Sequence, residues 1–103
     1  MTDNTPSYES SNLDDDARRR RIKFRAWHRG IKENDLILGT FADAYVEELT
    51  TDDLTDFERL MEAPDQDVYG WISNTKPVPD EYKTNLMTRL QSHIVPQRTR
   101  LER

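Results

Sequence analysis

Apolar residues recur along this chain at three- and four-residue intervals and never alternate with period two, so the pattern predicts helices and no strands. The clearest case covers residues 33–48, where Leu38, Phe41, Tyr45 and Leu49 fall on one face with Ile37, Ala42 and Val46 beside it. Gly39 inside this helix costs about 1 kcal/mol against alanine, which points to the close approach of another helix. Thr50, Thr51, Asp52 and Asp53 then form a helix-start signal, because their side-chain oxygens can take the orphan N–H groups of a first turn. A helix over 52–62 comes next, with Leu54, Phe57, Leu60 and Met61 inward. Pro64 interrupts it, Asp65 is placed to cap the next helix, and residues 66–74 turn Val68, Trp71 and Ile72 toward the core. Pro77 and Pro79 demand a rigid loop, after which 80–94 presents Tyr82, Leu86 and Leu90 at i+4 spacing with Met87 and Ile94 nearby.

The N-terminal part reads differently. Residues 14–29 form a helix with Asp14, Asp15 and Asp16 ahead of Arg18, Arg19, Arg20 and Arg21, the order that suits a helix dipole. Its apolar stripe is confined to the C-terminal half, as the pairs Ile22/Ala26 and Phe24/Trp27. Residues 1–12 are polar, Ser-rich and without a periodic face, so a disordered tail is expected, and 96–103, beyond Pro96, read as a flexible basic tail. The expected fold is therefore all-α, a small single-domain five-helix bundle over 13–95 with a disordered N-terminal tail.

Composition narrows what such a domain can do. With 34% hydrophobic and 34% charged residues in 103, the core must be small and leaves little apolar material for an internal cavity. A surface function is favoured. There is no cysteine, hence no disulfide framework, no thiolate nucleophile and no cysteine-based zinc site. No apolar run approaches the roughly 20 residues needed to cross a bilayer, so no membrane insertion is expected. The net charge of −5 conceals a segregation: residues 1–16 carry five acids and no base, 17–32 carry eight bases and no acid, and the remainder is strongly acidic. A basic helix on an acidic body can orient a partner. Binding of nucleic acid through Arg18, Arg19, Arg20 and Arg21, as in an antitoxin-like regulator, is the alternative reading, but an isoelectric point near 5.0 lacks the electrostatic footprint of that class.

The two helices at either side of residue 30 meet in the stretch Trp27-His28-Arg29-Gly30-Ile31-Lys32-Glu33-Asn34-Asp35, where candidate binding chemistry concentrates. Gly30 can close the first helix in a left-handed conformation and leaves bare backbone for a partner to approach. Arg29 brings five donors in a planar fork, Glu33 and Asp35 supply acceptors one turn on, and His28 and Arg21 extend the patch. Taken alone, Arg-Gly-x-x-Glu is better explained by a helix stop with charges matched to the two dipoles.

Three segments further along the chain change the odds. Asp35-Leu36-Ile37-Leu38-Gly39-Thr40-Phe41, Phe57-Glu58-Arg59-Leu60-Met61-Glu62 and Pro64-Asp65-Gln66-Asp67-Val68-Tyr69-Gly70-Trp71-Ile72 succeed Arg29-Gly30-x-x-Glu33 in an order that resembles the SdhE family of succinate dehydrogenase assembly factors. The resemblance covers 18–94; His28 stands where many members have a second arginine, and Asn34 where an apolar residue is common. It implies an assembly factor that binds the flavoprotein subunit of succinate dehydrogenase, with that of fumarate reductase as a second candidate, and promotes covalent FAD attachment to it. Partner binding would then fall to Arg29, Gly30, Glu33, Asp35, His28 and Arg21.

Intrinsic catalysis is not expected. His28 and His93 are the only histidines and lie on helices at opposite ends of the chain. No Gly-rich phosphate loop, nucleophile elbow or His-Glu-x-x-His stretch is present. No metal site is expected, and no flavin held stably by the chain itself. The free protein is expected to be a monomer in the bacterial cytoplasm, ahead of a trimmed form in the mitochondrial matrix, since the N-terminal tail is neither Arg-rich nor acid-poor.

Overall fold

The computed structural model describes the backbone of residues 4–95 and the side chains of 15–95. Among these residues the fold is made by five helices: α1 (Asn4–Trp27), α2 (Lys32–Tyr45), α3 (Thr51–Leu60), α4 (Asp65–Ile72) and α5 (Asn85–Ser92). Single 3-10 turns follow α2 at Val46–Glu48 and precede α5 at Asp80–Tyr82, and no strand occurs among the described residues. The all-α five-helix expectation holds.

The core is made by the faces that periodicity selects. Ile22 and Ala26 of α1 meet Leu38, Phe41 and Ala42 of α2, Leu54, Phe57 and Leu60 of α3, Val68 and Trp71 of α4, and Leu86, Met87 and Leu90 of α5. Phe41 and Phe57 stand edge to face with centroids 6.0 Å apart. Each large side chain buried in this way contributes about 1.5–3 kcal/mol, against at most ~1 kcal/mol for an exposed ion pair, so burial carries the stability. Gly39 plays the packing role expected of it: the Trp27 indole of α1 lies against its backbone. Met61 is core filler. The start of α3 is a capping box in which Thr50 Oγ1 accepts from the Asp53 N–H at 3.1 Å and the Asp53 carboxylate accepts from the Thr50 N–H at 3.4 Å.

Several boundaries differ from the sequence expectation. Helix α1 starts at Asn4, inside the stretch read as a disordered tail. Pro6 lies in its first turn, where its missing N–H is one of the orphans and breaks no hydrogen bond. Residues 1–3, and the C-terminal tail over 96–103, lie outside the described residues. The final helix is shorter than 80–94 because Thr84 acts as N-cap, its Oγ1 accepting the Met87 N–H at 3.1 Å. Tyr82 consequently packs from the 3-10 turn, stacking on Trp71 with centroids 4.7 Å apart. Ile94, expected inward, is 79% exposed, since the helix has already ended at Ser92 and His93 takes the inner place beside Phe41 and Tyr45. Phe24 is likewise 64% exposed and stacks on His28 instead of packing inward.

The left-handed helix stop also sits elsewhere. No glycine has positive φ, Gly30 included. Among the described residues positive φ occurs only at Asn74, after α4, where the Thr75 N–H bonds the Gly70 carbonyl at 2.9 Å and the Asn74 N–H bonds the Trp71 carbonyl at 3.3 Å. That pair of bonds is the Schellman arrangement.

The arginine-rich part of α1 is occupied by the protein itself. Arg18 donates to Glu58 at 3.0 and 3.2 Å and to Thr55 at 3.0 Å, while Arg19 donates to the Val46 and Leu49 carbonyls at 3.0 and 2.9 Å. Lys23 faces Asp43 at 3.8 Å and Arg25 faces Glu62 at 3.0 Å. These contacts fasten α1 along α3 and the turn after α2, and they remove much of the positive surface that a nucleic-acid reading requires.

Candidate docking corner

The α1–α2 junction is built by two carboxylates. Trp27 is the last residue of α1, and the Arg29 N–H then bonds Asp35 Oδ1 at 2.6 Å instead of continuing the helical ladder. The Gly30 N–H bonds Asp65 Oδ2 at 2.9 Å. Helix α2 starts from Ile31 without a side-chain cap, its acids Glu33 and Asp35 lying in the first turn where the dipole favours them. The helix stop that a left-handed glycine was expected to provide is therefore supplied by side chains.

Arg29 reaches in the other direction, into the turn between α3 and α4. Its Nε donates to Asp65 Oδ1 at 2.7 Å, Nη1 to the Met61 carbonyl at 2.6 Å and Nη2 to the Ala63 carbonyl at 2.9 Å. The two carbonyls lie just beyond the C-terminal end of α3, where acceptors lack intrahelical donors and the dipole is negative. One guanidinium thus satisfies both and pairs with the first residue of α4. Only 9% of the Arg29 side chain is exposed.

Asn34, fully buried in the first turn of α2, completes the junction by donating Nδ2 to the Asp65 carbonyl at 2.9 Å. This tie accounts for an amide at a position where the resemblance leads one to expect an apolar residue. Its Oδ1 is buried without a hydrogen-bond partner among the described residues.

The Asp65 carboxyl feels opposing influences. Partial burial pushes its pKa up, but hydrogen bonds from Arg29 and the Gly30 N–H, the Arg29 charge and the Asn34 amide outweigh this and hold it below the ordinary 3.8. The carboxylate stays ionised at neutral pH.

The six residues singled out in the sequence divide into two groups. Arg29 and Asp35 are engaged inside the protein and shape the corner. His28, Gly30 and Glu33 are exposed on it, and Arg21 is 61% exposed with its guanidinium 4.0 Å from Glu58. A shallow cleft of about 370 Å³ opens here, its lining including Phe24, His28, Gly30, Met61, Pro64 and Asp65. His28 donates its Nδ1–H to the Phe24 carbonyl at 2.6 Å, which fixes the exposed Phe24–His28 stack at a centroid distance of 4.1 Å. Sequence reasoning missed Asp65 as a member of the corner, reading it as the cap of its own helix. Its position immediately after the helix-breaking Pro64 was the available signal.

No group of three or more His, Cys, Asp or Glu side chains that could hold a metal ion occurs among the described residues, and no described helix is long and apolar enough to cross a membrane.

The structure is a small all-α domain with the hydrogen-bonded α1–α2 junction partly displayed at its surface. Residues 20–94 match the family model described as "Flavinator of succinate dehydrogenase", and the chain belongs to that family. It is 42% identical over 74 residues to the FAD assembly factor SdhE of Acetobacter pasteurianus, covering 72% of this chain and 68% of the relative. It is 36% identical over 75 residues to the mitochondrial succinate dehydrogenase assembly factor 2 of Dictyostelium discoideum, covering 73% and 53% of the two chains. With assembly factor 2-A of Drosophila mojavensis it shares 35% over 81 residues, covering 77% and 52%. The matches thus span about half the length of these mitochondrial relatives.

Proposed function

We propose that this chain binds the flavoprotein subunit of succinate dehydrogenase through the α1–α2 corner and promotes covalent attachment of FAD to that subunit. The observation that carries the reading is the preformed corner at Gly30, lying inside the segment that matches the flavinator family and exposing His28, Gly30 and Glu33 together. The bond-forming chemistry belongs to the flavin and to the partner's own side chain. The factor contributes by binding the partner in a conformation that holds the reacting groups close, an effect of positioning rather than of proton transfer by this chain.

The surface supports a protein partner better than a small ligand. The cleft at the corner is shallow and combines an exposed aromatic stack with a glycine backbone and flanking charge, a composition suited to a protein interface. The chain is read as having no enzyme activity of its own, holding no flavin stably and being a monomer when free. The fumarate reductase flavoprotein is a second candidate client, and the bacterial cytoplasm is the proposed setting, in keeping with the identity to a bacterial relative.

The test is reconstitution. The apo flavoprotein subunit is incubated with FAD with and without this chain, and protein-bound flavin fluorescence is read after denaturing electrophoresis. Faster or more complete flavinylation is expected with the chain present; an unchanged rate at saturating concentration, with no complex on size-exclusion chromatography, would overturn the proposal. Free FAD passed over the purified chain should be removed fully by desalting.

A further inference from the structure

We infer that Asp65 is the positioning residue of the corner, and that position 30 is glycine because the Asp65 carboxylate occupies the space a Cβ would need. This rests on the reading of the corner as the docking site and assigns it a residue from outside the Arg-Gly-x-x-Glu stretch. A Cβ on residue 30 would lie 2.5 Å from Asp65 Oδ2 and 3.7 Å from Cγ, well inside van der Waals contact. The backbone does not demand glycine, because Gly30 does not have a positive φ. What excludes a side chain is one carboxylate.

That carboxylate cannot step aside without cost. Oδ1 accepts the Arg29 Nε–H at 2.7 Å and the Asn34 amide at 3.4 Å, while Oδ2 accepts the Gly30 N–H at 2.9 Å. Moving it to admit a Cβ separates Arg29, which is almost wholly buried, from the anion it pairs with, and leaves the Gly30 N–H without its acceptor. Of the ties between the α1–α2 junction and the α3–α4 turn, the Arg29 bonds to the Met61 and Ala63 carbonyls and the Asn34 bond to the Asp65 carbonyl would remain, with the carboxylate no longer setting their alignment. Gly30 and Asp65 are therefore two halves of one packing arrangement, and the exposed face of His28 and Gly30 has its shape only while both are present.

The competing account is that glycine serves the partner, whose backbone comes close at that point. The two accounts separate in a cycle of Gly30→Ala, Asp65→Ala and the double variant, with Asp65→Asn as the conservative change. Affinity for the apo flavoprotein subunit is measured by calorimetry, and amide, Arg29 Nε–H and Asn34 side-chain signals of the free chain by NMR. Gly30→Ala should shift the Arg29 Nε–H and Asn34 signals in the absence of any partner and weaken binding about tenfold or more. In the Asp65→Ala background the same alanine should shift those signals little further and change the remaining affinity less than about twofold. Asp65→Asn, which keeps an acceptor oxygen, should retain more affinity than Asp65→Ala.

The inference is overturned if Gly30→Ala leaves the free chain's Arg29 and Asn34 signals in place while binding falls, or if its effect on affinity is equal in the two backgrounds. If Asp65→Ala unfolds the chain, the Gly30→Ala and Asp65→Asn spectra decide alone. A wild-type chain that does not bind the flavoprotein subunit would instead overturn the docking assignment, whatever the spectra say about Asp65 and Gly30.

Discussion

The Trp27 indole lies so close to Gly39 that a Cβ on residue 39 would collide with the ring. The indole is held there by its Nε1–H, which donates to Asp43 Oδ2 at 3.2 Å. Alanine at 39 would raise helix propensity by about 1 kcal/mol, yet overpacking against the indole costs about 1–3 kcal/mol. Gly39→Ala should therefore lower stability, and a urea midpoint that rises instead would show the ring to be mobile.

Arg29 gives the second expectation. Arg29→Lys keeps the charge but not the fork that serves Asp65 Oδ1 and the Met61 and Ala63 carbonyls at once. A loss of about 1–3 kcal/mol in denaturant unfolding is expected from the unsatisfied acceptors. Were Arg29 chiefly a contact to the partner, the lysine variant would unfold like the wild type and fail only in binding.

Glu33 should behave in the opposite way. It is exposed on the first turn of α2, where its contribution through the dipole is small. Glu33→Ala should change stability by less than about 0.5 kcal/mol. Affinity for the flavoprotein subunit should nevertheless fall, measured by the same titration that reports wild-type binding.

Acid should loosen the α2–α5 contact through His93. Its Nε2 lies 2.8 Å from Thr40 Oγ1, whose single proton is already donated to the Leu36 carbonyl at 2.6 Å, so the imidazole carries its proton on Nε2. Burial lowers the His93 pKa from the ordinary 6.5. The unfolded chain then takes up a proton more readily than the folded one, so this contribution is intact above pH 6.5 and is lost as pH falls through the folded value. Melting temperatures should decline below that point, and a His93→Gln variant should lack this part of the slope. Asp65 adds a second loss at lower pH, because its depressed pKa gives stability that is present above 3.8 and disappears as pH falls through the folded value.

The helices and their buried faces were legible because they depend on local spacing. Leu38, Phe41 and Leu49 could be assigned inward from periodicity, and the start of α3 could be placed within Thr50, Thr51, Asp52 and Asp53 from their side-chain oxygens. Thr84 carried the same kind of signal and was overlooked beneath an i+4 pattern in which Tyr82 fits equally well from a 3-10 turn. The division of labour at the corner was not legible. Arg29 and Gly30 are adjacent in sequence, yet one turns into the fold and the other faces out, a choice made by acceptors that α3 and α4 bring from far along the chain. Local reading could see that Arg29 had donors and Asp65 had acceptors, but it could not see that they met.

The Arg29–Asp65 clasp joins positions 36 apart in the sequence, with the whole of α2 and α3 between them. A synthetic peptide copying the residues around Gly30 would contain every exposed group of the motif and none of the scaffold that spaces them. Such a fragment should neither inhibit nor replace the intact chain, and inhibitor design against this interface would have to begin from a folded domain.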